Sequence, residues 1–275
     1  MILMIYKAFK ISMLVILLSF SFLHCSKEDP SENATRLRIK LTDAASLVVK
    51  ELHIDIQRIE VLVADTTGSE GEWETLQFTG GEYDLLKLMN GRNVQLVDQY
   101  FPAGGILQKI KLILGNNNRL LTTTDSIVSL NIPSEMTDGI IIDNVNAALP
   151  ANIITSVVID VNAALSVRES NGNYFLHPSA RAFPETFGGS LRGYVAPIEA
   201  EAFVAIVQER DTFLTLPEAE GGMFLFTGLN PGAWEVHIIA NPLSNFRDTI
   251  FTDSVEQGKI TEITPKPIQL IPIMP

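Results

Sequence analysis

From Leu37 onward the chain is written in β-branched and aromatic runs of five to eight residues, broken by clusters of Gly, Asn, Pro and Asp. Runs that short, bounded by turn residues on both sides, read as strands, and their regular recurrence predicts an all-β chain of sandwich type. Arg36-Leu37-Arg38-Ile39-Lys40-Leu41 alternates polar and apolar residues along one strand. In LHIDIQRIEVLV, Leu52, Ile54 and Ile56 share one parity while Ile59, Val61 and Val63 share the other. An uninterrupted strand would turn the second set out to water, so the change of phase at Gln57-Arg58 predicts a β-bulge or bend. Residues 109–114, 126–131 and 156–161 read as further strands, with GNNN at 115–118 and SNGN at 170–173 as turns between such runs. One segment, DLLKLMNGR, reads as a short helix, with Asp84 capping its first turn and Asn90-Gly91 closing its last.

The spacing changes after Phe183-Pro184-Glu185-Thr186-Phe187-Gly188-Gly189, where Pro and Gly-Gly punctuate the chain. Beyond it about seven short strands in 88 residues are enough to close one small sandwich. Phe224 and Phe226 should share one face there, as should Trp234, Val236 and Ile238. Cores that close on their own inward faces leave little surface to share, so the two sandwiches are expected to be independent.

The N-terminus describes export. Lys7 and Lys10 precede the 13-residue apolar run ISMLVILLSFSFL, which ends at His24-Cys25 and the polar SKEDPSENA. A positive start, a short apolar stretch and a polar exit are those of a secretory signal, since a bilayer span needs about 20 apolar residues. Cleavage near Ser19-Phe20-Ser21 would leave a soluble protein. The alternative is that Cys25, the only cysteine, resembles the acylated cysteine of a bacterial lipoprotein, with His24 standing where that family's box prefers a small residue. Lys27-Glu28-Asp29 resemble the Lys followed by two acids that sends some Gram-negative lipoproteins to the outer face of the outer membrane, or they belong to a solvated tether. The expected plan is thus a signal peptide over 1–24, a tether over 25–35, a first sandwich over 36–187 and a second over 188–275, displayed at the cell surface of a Gram-negative bacterium.

Several motifs occur in a set order: Leu41-Thr42-Asp43-Ala44, the LHIDIQRIEV strand, Trp73-Glu74-Thr75-Leu76, Asp84-Leu85-Leu86-Lys87-Leu88 with Asn90-Gly91, Pro102-Ala103-Gly104, Ile132-Pro133-Ser134, Ile159-Asp160-Val161-Asn162-Ala163 and Asn173-Tyr174-Phe175-Leu176-His177-Pro178. Together they resemble an uncharacterised domain of bacterial lipoproteins that opens with an L-T-D-A strand, over about residues 35–183. That family has no assigned activity, so the resemblance implies architecture and location but no catalytic residue. Asn162 stands where an Asp is common in it, so Asp160 has no carboxylate neighbour at that position. The spacing from Gly189 to the final strand is similar to the prealbumin-like regulatory module of carboxypeptidases, including the turn Gly228-Leu229-Asn230-Pro231-Gly232.

Composition narrows the partners. With 20 Lys+Arg against 32 Asp+Glu the net charge is −12, which repels phosphate backbones and anionic headgroups. Nucleic acid is therefore not an expected partner, and the membrane is reached through the lipid alone. One cysteine builds neither an intramolecular disulfide nor a cysteine-rich zinc site. His53, His177 and His237 show no metal spacing and no Ser or Cys motif beside them, so the parts of triad and zinc hydrolases are missing. Neither FPAGG nor ETFGG is followed by the Lys-Ser/Thr and helix of a phosphate loop, and Asp138-Gly139 and Asp143-Asn144 are too sparse for calcium. No catalytic residue, metal or cofactor is expected. Trp73, Tyr83, Tyr100 and Tyr174, near turns of the first sandwich, are the candidates for a flat platform under sugar rings, with core packing as the competing role. The reading is a non-catalytic binding or adhesion module for a polysaccharide or an envelope protein. A structural spacer or assembly subunit comes second, and an accessory or hydrolytic enzyme third.

Overall fold

The computed structural model describes residues 32–44, 49–65 and 67–273. Its N-terminal part contains strands β1 (Ala34–Ala44), β2 (Val49–Ala64), β3 (Glu70–Thr75), β4 (Gly81–Asp84), β5 (Val94–Pro102), β6 (Ile106–Leu114) and β7 (Arg119–Thr122). There follow β8 (Ile127–Ser129), β9 (Ile140–Ile142), β10 (Ala147–Ala148), β11 (Ile154–Asn162), β12 (Val167–Ser170), β13 (Asn173–Leu176) and β14 (Ser179–Pro184). One sheet runs β14-β11-β1-β5, with β1 and β11 parallel; the larger runs β10-β6-β2-β7-β8, with β3, β4 and β9 added along β2 and β6. Leu37, Ile39 and Leu41 of β1 and Val157, Ile159 and Val161 of β11 meet the apolar rows of β2 and β6 in one buried cluster. The alternation read from Arg36 to Leu41 is what places those residues inside and the arginines and lysine outside.

The change of phase in β2 is a bulge. Its register with β6 slips between Ile56 and Arg58, and Leu52, Ile54, Ile56, Ile59 and Val61 are all buried on the same side as a result. Beside the bulge the buried Asp55 carboxylate accepts from the Gln57 side chain and from the Asn117 backbone N–H at 3.1 Å, while Asn118 Oδ1 accepts from Asp55 N at 2.9 Å. The GNNN turn is thus tied down by a carboxylate from the strand it folds over. SNGN turns the β12–β13 hairpin, with Asn171 and Gly172 both at positive φ, as a two-residue hairpin turn demands.

DLLKLMNGR differs from the expected helix. It is one 3-10 turn, Leu85–Leu88, and Asp84 does not cap it. The Asp84 carboxylate instead faces Leu52 N at 3.4 Å and Lys87 Nζ at 3.1 Å, because β4 pairs with β2 up to Asp84 and turns the side chain toward that strand. Asn90 and Gly91 do stop the turn, at φ 57° and 78°.

The C-terminal part holds β15 (Gly189–Ala196), β16 (Phe203–Gln208), β17 (Asp211–Thr215), β18 (Met223–Leu229), β19 (Gly232–Ile239), β20 (Thr249–Val255), β21 (Ile260–Glu262) and β22 (Ile268–Gln269). The order β18-β15-β21, with β22 also on β15, faces the order β17-β16-β19-β20. Phe224 and Phe226 from one sheet, and Trp234, Val236 and Ile238 from the other, fill a second buried cluster. Two sandwiches, each with its own apolar cluster, therefore meet between β14 and β15.

Candidate functional site

Three of the ordered motifs, those containing Thr42-Asp43, Asn90-Gly91 and Asp160, converge where the sandwiches meet. Because β1 and β11 run parallel with Thr42 opposite Asp160, the end of the L-T-D-A strand and the Ile159-to-Ala163 strand reach the same place. The Thr42 hydroxyl lies 2.9 Å from Leu88 O and 2.8 Å from Arg92 O, so it fastens both ends of the loop that carries Asn90. Asp43 Oδ1 accepts from Ala163 N at 3.1 Å, and Asn162 Oδ1 caps the same helical turn, Ala163–Ser166, by accepting from Leu165 N at 3.2 Å.

Several side chains cross the seam; at its edge Arg92 Nη2 pairs with Glu218 Oε1 at 3.0 Å and Gln257 Nε2 donates to Thr186 O at 3.2 Å. Asn90, 8% exposed and in the left-handed region, donates Nδ2 to Leu216 O at 2.9 Å. Its Oδ1 accepts from the Thr215 hydroxyl at 2.9 Å and from Leu225 N at 3.2 Å. Arg181, on β14, donates Nε and Nη2 to Asp160 Oδ2 at 2.9 and 2.8 Å, Nη1 to Gly228 O at 2.7 Å and Nη2 to Thr227 O at 3.0 Å. Its guanidinium carbon lies 4.7 Å from the centre of the Phe183 ring and 4.0 Å from that of Phe213. Gly228, at φ 62°, is required here, since a Cβ would stand 2.2 Å from the Phe183 ring. Burial pushes the Asp160 carboxyl up and Arg181 pulls it back. Carboxylate, guanidinium and amide are thereby committed to each other and to backbone groups across the seam; what this arrangement does is join. The bonds that cross are made by polar side chains, and no apolar pattern announces them.

The four platform candidates are not brought together. Trp73, on β3 opposite Leu62, is half-buried beneath the Lys111 ammonium, 4.1 Å from its ring centre. Lys111 also bridges Glu60 at 2.8 Å and holds that carboxyl below its ordinary range. Tyr83 on β4 and Tyr174 on β13 pack against the first core, whereas Tyr100 on β5 is exposed, with Arg36 near its ring. No ring contact links any two of the four among the described residues. Cys25, Lys27, Glu28 and Asp29 lie outside the described residues.

One grouping was not legible in sequence. Glu51, His53 and Asp84 present ligand atoms within 4.8 Å of one another. Glu51 and His53 share a face of β2, but Asp84 joins them only through the β2–β4 register. The positions a divalent ion would use are already taken. His53 Nε2 meets Glu51 at 2.8 Å, its Nδ1 faces Arg119 Nη2 at 3.4 Å, and Lys87 lies on Asp84. Each of the three side chains thus already has a partner within the protein. His237 likewise pairs with a carboxylate two residues away, Glu235, at 2.9 Å. No helix among the described residues is long and apolar enough to cross a membrane.

Among solved structures, the Bacillus anthracis TIE protein shares 10% identity over 81% of this chain at a TM-score of 0.25, and this chain spans 34% of that one. The shaft pilin SpaA of Lactobacillus rhamnosus GG shares 11% identity over 88% of this chain and 100% of the pilin, TM-score 0.24. The minor pilin GBS52 of Streptococcus agalactiae shares 9% over 86% of this chain and 97% of its own, TM-score 0.24. At such scores the likeness carries no inference about this chain. No curated protein matches the sequence. A family model does: residues 34–178, the stretch in which the ordered motifs fall, match the domain of unknown function DUF4382, and the chain belongs to that family.

Proposed function

We propose that the protein is an exported lipoprotein, anchored through an acylated Cys25 to the outer membrane, that displays two joined β-sandwiches as a non-catalytic binding or adhesion module for a polysaccharide or an envelope protein. The observation that carries the reading is the seam. Asn90 and Arg181 fasten the second sandwich to the first through backbone groups, which holds the loops of both in a fixed relation. A displayed binding surface needs that constancy, and so does a spacer; capture of a partner separates the two. The anchor is supported by the apolar run ending at the only cysteine, and surface display by Lys27-Glu28-Asp29 after it.

Cys25→Ala should move the protein from membranes to the soluble exported fraction, because the several acyl chains of a lipoprotein terminus hold where one chain is marginal. Retention of this variant on membranes in high salt would remove the lipid anchor from the reading. Protease added to intact cells should shave the wild-type body, and replacing Lys27, Glu28 and Asp29 by Ala should protect it. Equal shaving of both forms would leave that segment a tether only.

A further inference from the structure

The corner where the sandwiches meet also holds an open groove of about 420 Å³, well inside the range of small-ligand sites. We propose that this groove binds a stretch of neutral glycan, an assignment that rests on the binding-module reading and names its ligand class. The floor is apolar. Phe183 and Val158 lie on the outward face of the first sandwich, and the Phe187 ring stands over them 42% exposed, 6.2 Å from Phe183 and tilted by 48°. An exposed ring supported by a buried one is a platform for the C–H face of a sugar.

The polar lining is neutral and available. The Ser190 and Thr227 hydroxyls and the Asn93 amide oxygen make no hydrogen bond among the described residues, while Asn93 Nδ2 is turned to Gly91 O at 3.3 Å. The charged groups at the rim are already matched, Glu185 by Lys40 at 2.7 Å and Lys259 by Glu256. An anion would meet the Glu185 carboxylate and a cation the Lys259 ammonium; a polyhydroxylated neutral ligand meets hydroxyl, amide and ring together. The boundary segment that reads in sequence as punctuation thus supplies the platform, and Trp73, Tyr83, Tyr100 and Tyr174 do not.

The test uses the full chain in a detergent without a sugar headgroup, titrated with maltohexaose, cellohexaose, mannohexaose and xylohexaose, with a galacturonate oligomer as the acidic comparator. At least one neutral oligosaccharide should bind, without dependence on salt. Phe187→Ala should weaken that binding by about tenfold or more, and Asn93→Ala with Ser190→Ala should weaken it independently of the ring. Tyr100→Ala, an exposed aromatic outside the groove, should leave it unchanged. Failure of all four neutral probes overturns the assignment, as does tighter binding of the acidic probe or binding that survives both groove variants. Any of these leaves the binding-module reading standing if the chain still captures an envelope partner. Hydrolysis of a bound glycan would instead support the groove and overturn the non-catalytic reading.

Discussion

Replacing Asn90 by Ala should destabilise the protein by about 2–4 kcal/mol, although the residue belongs to no regular element. Three hydrogen bonds are lost at once, to Leu216 O, the Thr215 hydroxyl and Leu225 N, and the partners stay in a seam where Thr215 is 3% exposed. Buried polar groups left unpaired cost about 1–3 kcal/mol. Ala at φ 57° adds about 1 kcal/mol of backbone strain that Asn tolerates. Asn90→Gly separates the contributions. It loses the same hydrogen bonds but not the strain, and allowing for its larger unfolded-state entropy it should be up to about 0.5 kcal/mol less damaging than Ala. The assay is urea unfolding of the soluble Cys25→Ala form carrying Trp73→Phe, so that Trp234 alone reports fluorescence from the second sandwich. A loss below about 1 kcal/mol for Asn90→Ala would show that the seam bonds are replaced by water and hold nothing; Asn90→Gly proving worse than Ala would refute the backbone part.

Arg181→Met should cost about 3–5 kcal/mol, since it strands the Asp160 carboxylate in a buried position, whereas Asp160→Asn should cost about 1–2 because Arg181 keeps Thr227 O and Gly228 O. Equal losses in urea melts of the two variants would refute that asymmetry. The Arg36 hydrogen bond holds the Asp98 carboxyl below its ordinary value, as Lys111 does for Glu60. Depressed acids stabilise the fold above their unfolded pKa of about 4 and lose that contribution as pH falls through the lower folded value, so Asp98→Asn with Glu60→Gln should flatten the acid limb of stability against pH. An acid limb as steep as that of the wild type would locate the sensitivity in other carboxylates.

The strands and the bulge were legible because their cause is local. Apolar parity in Arg36–Leu41 and its slip at Gln57-Arg58 are properties of neighbouring residues, and burial obeys them directly. The 3-10 turn at Leu85 was misread for the opposite reason. Asp84 has the side chain of a cap, but the pairing of β4 with β2 turns its carboxylate toward Leu52 and Lys87, and that pairing is tertiary. The seam is hidden likewise: Asn90-Gly91 reads as a helix stop, and no motif in the sequence singles out Arg181. Only the fold places their partners, 125 or more residues later for Asn90 and 46 or 47 later for Arg181. Polar residues carry no periodicity that could announce such distant contacts.

Residues 188–275 expressed alone put the joint and the cores in opposition. The second apolar cluster lies wholly within this segment, and the bonds that cross to it end on backbone groups, the Thr215 hydroxyl and the partly exposed Glu218 carboxylate, all of which water can satisfy once the first sandwich is gone. The segment should therefore fold cooperatively, yet with 88 residues and no disulfide its stability should be only about 5 kcal/mol. Trp234 is then decisive. It is fully buried, donates Nε1 to Asn230 O at 2.9 Å and packs its ring 5.8 Å from Phe213. Truncating it to Ala removes about 3–5 kcal/mol, most of what the segment has, while the full chain retains the first core and the seam bonds. Trp234→Ala should thus leave the isolated segment with only about 0–2 kcal/mol, so that it unfolds at the first additions of denaturant, but only lower the second transition of the full chain. If the wild-type segment is itself unfolded, the seam contributes to the second core and the two sandwiches form one cooperative unit. If the variant segment melts like the wild type, Trp234 does not organise this core, and the inward facing of β19 is refuted.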